Sequence, residues 1–164
     1  LSLDLEGLPI DVLINNAGVF GPRNMGASNM DFAKWEQVFR TNTLAPLKIA
    51  TLFSKNIRAS EQRKLITISS VMGSITRNSG GGDYIYRSSK SAVNQVMRSF
   101  ARADEGCGLI VANFHPGWVK TDMGGHNASI TPNESVKSLR KVIAGLNEAD
   151  SGKFFNYDGT PYPW

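Results

Sequence analysis

The sequence predicts an α/β fold, a parallel β-sheet covered by helices on both faces. Two observations carry that expectation. Short, branched apolar runs recur along the chain, each closed by a turn-forming or glycine-rich stretch. Segments with apolar residues at helical spacing fill the intervals, giving strand, helix, strand, helix, strand, helix, strand. With 164 residues, 41% hydrophobic and 20% charged, the chain is long enough to bury one sizeable core, and a single domain is expected.

The elements follow in order. Residues 1 to 8, with Leu1, Leu5 and Leu8, read as the tail of a helix, as if the chain began within a fold. "IDVLI" (10 to 14) suits a buried strand and is closed by Asn15-Asn16-Ala17-Gly18. After a loop from Gly21 to Asn29, Asp31 caps a long amphipathic helix that Pro46 is expected to kink or split. "KLITISS" (64 to 70) is the second strand, and "GSITRNSGGGD" is too rich in glycine to be either element. A helix containing Tyr86 follows, then the strand "GLIVANFHP" (108 to 116), which Pro116-Gly117 stops. Residues 131 to 146 form a helix in which Thr131 and Glu134 have capping-box spacing and Pro132 takes the first helical position. "GKFFNYDG" (152 to 159) is the last strand.

The charge of +4 comes from 18 basic and 14 acidic residues spread along the chain, without the cluster that a nucleic-acid or membrane footprint needs. Neither partner is expected, nor is a metal. No apolar run approaches the roughly 18 residues of a membrane span, and no signal peptide opens the chain. The single Cys107 cannot form an internal disulfide and fits a reducing, cytoplasmic compartment, where the sequons at Asn127 and Asn133 carry no meaning.

Sheets of this kind place their chemistry beyond the carboxyl ends of the strands. Asn15 to Gly18, Ser69, Ser70 and His115 to Thr121 all fall there, while helices deliver Asn42 and Tyr86 to the same rim. Tyr86-x-x-x-Lys90 could be a catalytic pair. The spacing alone leaves that open, because residues four apart on any helix lie one above the other.

Five short stretches settle on one resemblance: "NNAG" after the first strand, "RTNTLAP" in the next helix, "ITISS", "YRSSK" and "HPGWVKTDM". In that order and at those places the chain resembles the short-chain dehydrogenase/reductase family, and within it bacterial carbonyl-reductase-like members related to the C-factor signalling protein. The resemblance implies a Rossmann-like sheet and an NAD(P)-dependent oxidoreductase acting on a small carbonyl or alcohol. It places a catalytic tetrad on Asn42, Ser70, Tyr86 and Lys90. Hydride reaching a carbonyl carbon leaves negative charge on oxygen, so a proton donor and a second hydrogen bond are needed there. Tyr86 would be the acid, Ser70 the second donor, and Lys90 would lower the Tyr86 pKa. By the same resemblance Lys90 also holds the nicotinamide ribose of NAD(H) or NADP(H), and Asn42 fixes a relay water. Asn15, Ala17, Gly18, Pro116, Gly117, Val119 and Thr121, with Tyr86 and Lys90, complete the implied cofactor contacts.

Each of these residues has a plainer reading. Ser70 could simply satisfy a turn, with Ser69 as its competitor, and Asn42 could accommodate the kink before proline. Tyr84 lies six residues from Lys90, on another helix face, and loses the tyrosine role. His115 reads as a packed strand-end residue, Asn16 as structural, and Gly80 to Gly82 as a loop rather than a phosphate cradle. Asp122 to Ala128 reads as a substrate-side lid, and loops 72 to 83 and 122 to 132 as the substrate pocket.

Family members begin with a strand, a glycine-rich turn and a helix that bind pyrophosphate. No such fingerprint precedes "NNAG", and two βαβ units of about 30 residues each would normally come first. The expectation is therefore one truncated Rossmann-like domain over residues 1–164, either a fragment or a natural half. Two functions compete: an oxidoreductase seen without its phosphate-binding part, and a non-catalytic remnant serving as a binding, signalling or oligomerisation module. A homo-oligomer is expected, since the first strand would form an apolar sheet edge.

Overall fold

A computed structural model describes residues 5–103 and 106–164. Four parallel strands form one sheet in the order β1-β2-β3-β4: β1 (Val12–Asn15), β2 (Lys64–Ile68), β3 (Ile110–His115) and β4 (Lys153–Asn156). In-register pairs such as Ile66 with Ala112 and Leu65 with Val111 bring all the carboxyl ends to one rim.

Because side chains alternate across a strand, β2 and β3 feed two cores. Leu65 and Val111 pack with Ala50, Ile57, Val93 and Met97 from α2 (Ala45–Arg58) and α3 (Tyr84–Ala103). On the opposite face, Ile66, Ala112 and Phe114 pack with Leu139 and Ile143 from α4 (Pro132–Gly145). Full burial of each branched or aromatic side chain contributes about 1.5–3 kcal/mol. The α4 start matches its sequence signature: Glu134 N–H donates to Thr131 Oγ1 at 3.3 Å, and Thr131 N–H donates to Glu134 Oε2 at 2.7 Å.

Three local expectations take a more specific form. Leu1 lies outside the described residues, and Leu5–Gly7 form a turn closed by Leu8 N–H to Leu5 O at 3.1 Å. The long helix breaks before Pro46. After α1 (Phe32–Phe39), Arg40–Leu44 make a π turn in which Ala45 N–H reaches Arg40 O, and Pro46 sits in the first turn of α2. Proline has no N–H to restore the tighter ladder there. The last strand also ends at Asn156; residues beyond it turn back, with Tyr162 N–H donating to Phe154 O at 2.8 Å and Trp164 stacked on Phe154.

Among the described residues, no helix is long and apolar enough to cross a membrane.

Candidate active site

A cleft of about 750 Å³ opens at the carboxyl ends of β2 and β3, and Ser70, Tyr86 and Lys90 line it. Their approach depends on the short 3₁₀ turn Val71–Gly73 that follows β2. Ser70 caps this turn, its Oγ accepting from Met72 N–H at 3.1 Å. A Cβ on Gly73 would lie 2.9 Å from the Lys90 backbone, so only glycine lets the turn sit against α3. Ser91 Oγ and Asn94 Nδ2 both donate to Gly73 O, at 3.0 and 3.2 Å. The turn is thereby locked one residue from Lys90, with Ser70 beside Tyr86.

Burial raises the Tyr86 pKa, and the Ser70 side chain beside it offsets the rise in part. Lys90 is 4% exposed, and burial lowers its pKa to about 8. Its Nζ donates to Ile68 O at 3.0 Å and lies 5.8 Å from the Tyr86 ring centroid. The expectation that Lys90 depresses the Tyr86 pKa is not met in this state: desolvation is the larger effect on both groups, and the ammonium is bonded to a backbone carbonyl.

Asn42 lies in the π turn, 1% exposed. Its Oδ1 accepts from Val19 N–H at 2.9 Å, and its Nδ2 donates to Val19 O at 2.8 Å and to Ser89 Oγ at 3.0 Å. The side chain thus braces the loop after β1 against α3.

The expected cofactor residues divide. Gly18, Pro116, Gly117, Val119 and Thr121 line the cleft with Tyr86 and Lys90, whereas Asn15 and Ala17 do not. Asn15 Nδ2 instead donates to Pro46 O at 3.3 Å, and Asn16, read as structural, lines the cleft. Ser69 and Ser70 both line the cleft, and Ser69 Oγ is buried with no hydrogen-bond partner among the described residues. Tyr84 is 44% exposed against 7% for Tyr86. His115 packs edge-on against Tyr162, and burial lowers its pKa to about 4. Gly80 to Gly82 lie in an exposed loop outside the cleft. The loop after β3 is pinned at its base, Lys120 N–H donating to Ile130 O and Ile130 N–H to Trp118 O, and Thr121 Oγ1 accepts from Gly124 N–H at 3.1 Å.

Phe20, Arg23, Trp118 and Met123 also line the cleft; Trp118 and Met123 fall in the rim segment and the lid read from sequence, whereas Phe20 and Arg23 are not singled out there. Their signal was position alone: "VFGPR" directly follows "NNAG", and Trp118 and Met123 flank the "VKT" already read as functional.

The geometry fits a nicotinamide nucleotide at two points. A Cβ on Gly18 would stand 3.4 Å from Lys90 Nζ and 3.6 Å from Asn42 Oδ1, so glycine keeps the floor open beside the ammonium. Among the described residues, Ile68 O is the single hydrogen-bond acceptor of an ammonium that carries three donors.

The sequence profile of the family described as short chain dehydrogenase matches residues 5–131. The protein named C-signal from Myxococcus xanthus is 41% identical over 156 residues, covering 95% of this chain and 93% of that protein. The 1-hydroxy-2-glutathionyl-2-methyl-3-butene dehydrogenase of Rhodococcus sp. (strain AD45) is 32% identical, covering 99% of this chain and 72% of that protein. Among solved structures, the carbonyl reductase Sniffer of D. melanogaster is similar with a TM-score of 0.94 at 33% identity, covering 99% of this chain and 71% of that one. The NADPH-bound carbonyl reductase from chicken fatty liver gives 0.89 at 35% identity, covering 99% and 69%.

Proposed function

The chain belongs to the short chain dehydrogenase family, and from that premise we propose that it reduces the carbonyl of a small molecule, or oxidises the corresponding alcohol, with NAD(H) or NADP(H). Residues 1–164 are read as a single Rossmann-like domain carrying the reacting side chains. The observation that carries the reading is that the Ser70 and Tyr86 side chains line one cleft with the Lys90 ammonium.

The nicotinamide supplies a hydride when bound. Tyr86 donates its O–H to the carbonyl oxygen and gives up the proton as negative charge develops there. Ser70 donates a hydrogen bond to the same oxygen and holds it within reach of the phenol. Burial keeps Tyr86 protonated at neutral pH, which favours the reductive direction. Lys90 offers N–H donors to the ribose hydroxyls beside the open floor at Gly18. Asn42 acts as a positioning residue, holding Val19 and Ser89 in register. Gly117, Val119 and Thr121, which line the cleft, would contact the nicotinamide.

We also propose a homo-oligomer. β1 pairs with β2 alone among the described strands, and Ile14 on it is 49% exposed, leaving an edge open to pairing. Light scattering at tens of micromolar is expected to give a dimer or larger species, and a clean monomer contradicts it.

A second reading is favoured by the match to C-signal over 93% of that protein: a signalling or binding module that keeps the cleft without turnover. The deciding experiment is oxidation of NADPH and of NADH by the full-length protein with a panel of aldehydes and ketones. Turnover abolished by Ser70→Ala supports the reductase. Cofactor binding without turnover of any carbonyl favours the module.

A further inference from the structure

At the outer end of the cleft three side chains are stacked in layers. Phe20 lies on the Tyr86 ring, centroids 4.5 Å apart and planes 17° from parallel. Arg23 lies on Phe20, its guanidinium carbon 4.4 Å from the ring centroid. The same guanidinium donates from Nη2 to Met123 O at 2.9 Å. Arg23 and Met123 are 100 residues apart in sequence, on the loops that follow β1 and β3, and both line the cleft.

The combination is specific to arginine. A planar guanidinium can lie flat on an aromatic face while its edge donates hydrogen bonds, whereas a lysine ammonium has no plane to stack. Phe20 is itself fixed between two neighbours, so the orientation of the Tyr86 ring is coupled to a residue on the far wall of the cleft. Below this bridge the surface is carbon: Trp118 and Met123 are 53% and 39% exposed, and Trp118 spends its Nε1–H on Gly124 O at 2.8 Å.

We infer that Arg23 is a positioning residue that fastens the loop 117–131 across the cleft and sets the Tyr86 ring through Phe20, over a carbonyl substrate whose substituent is apolar. The inference rests on the carbonyl-reduction reading. Because the guanidinium is committed to a ring face and a backbone carbonyl, it closes the site; it does not serve as a receptor for an anionic substrate group.

The test compares wild type, Arg23→Met and Arg23→Lys in the full-length protein with NADPH or NADH, using benzaldehyde and 4-carboxybenzaldehyde as probes. Amide hydrogen exchange of residues 117–128 and of α3 is measured on the same samples. Loss of a charge-assisted hydrogen bond and a cation–π contact predicts exchange in 117–128 about tenfold faster and a benzaldehyde KM about tenfold higher, with a smaller change in kcat. Exchange in α3 stays as in wild type, which separates fastening from general destabilisation. Arg23→Lys recovers part of the exchange protection and little of the KM. Unchanged exchange in 117–128 overturns the inference, as does raised exchange with an unchanged benzaldehyde KM. A loss confined to 4-carboxybenzaldehyde overturns it too, because Arg23 would then be an anion receptor. If wild type turns over neither probe, exchange in 117–128 alone decides whether Arg23 fastens the loop, and the carbonyl panel decides the reductase reading.

Discussion

The inner wall of the cleft and its outer rim are built on opposite terms. The wall, from the end of β2 to α3, holds Ser70, Tyr86 and Lys90 at 8%, 7% and 4% exposure, each polar group fixed by a turn, a cap or a close backbone approach. The rim, made of the loops after β1 and β3, presents Trp118 and Met123 to solvent and is joined across the opening by Arg23. Burying polar groups costs stability unless they are fully paired, and Lys90 is an ammonium with one backbone acceptor among the described residues. The wall therefore carries groups that the fold alone would not select, while the rim can change without disturbing the core.

The strongest way to break this contrast is at the two tyrosines of α3. Tyr86→Phe is expected to lower kcat/KM for carbonyl reduction by about a hundredfold to ten-thousandfold, the usual cost of losing a positioned proton donor. Tyr84→Phe, on the exposed face, leaves it nearly unchanged. Steady-state kinetics of the two variants side by side check this, and equal losses would erase the distinction between the two positions.

Lys90→Met is expected to move activity and stability in opposite directions. Reduction falls by about a hundredfold. The fold gains, because the lysine pKa drops from 10.5 to about 8 on burial, and the charged form therefore opposes folding by about 3 kcal/mol at neutral pH. The sign follows from proton binding: between pH 8 and 10.5 the unfolded chain holds this proton more tightly, so wild-type stability rises with pH across that window. Denaturant melts at pH 7 and pH 10 should show a large gain for Lys90→Met at the lower pH and a small one at the higher.

The rim should give the smallest effects on stability. Trp118→Ala removes an exposed side chain and is expected to change unfolding free energy by about 0.5 kcal/mol or less, while raising KM for an apolar aldehyde. A stability loss comparable to that of a core truncation would place Trp118 in the wall instead.

What the sequence made legible divides along the same line. The strands of the sheet and the Asp31 and Thr131 caps are encoded in local spacing, and the structure has them; the same spacing puts Tyr86 and Lys90 on the buried face of α3. The π turn at Arg40–Leu44 was not legible, since Pro46 marks a break without saying on which side the ladder loosens. Nor was the contact of Gly73 with Lys90, which depends on two segments that meet only after folding. The layers of Arg23, Phe20 and Tyr86 join three distant positions with no periodicity to report them. The pKa expectation for Tyr86 failed for a related reason: spacing reveals a nearby charge but not the burial that opposes it.

The central claim is that carbonyl reduction uses a protonated Tyr86 beside a charged Lys90, and the pH dependence of kcat/KM for reduction tests it most directly. Burial raises Tyr86 above its ordinary value of 10.0, so the phenol keeps its proton through neutral and mildly alkaline pH, whereas Lys90 loses its charge near pH 8. The account predicts a plateau through neutral pH and a decline as pH rises through about 8. A rate that climbs from pH 8 to pH 10 would contradict it, because the active form would then carry a neutral lysine or an ionised tyrosine.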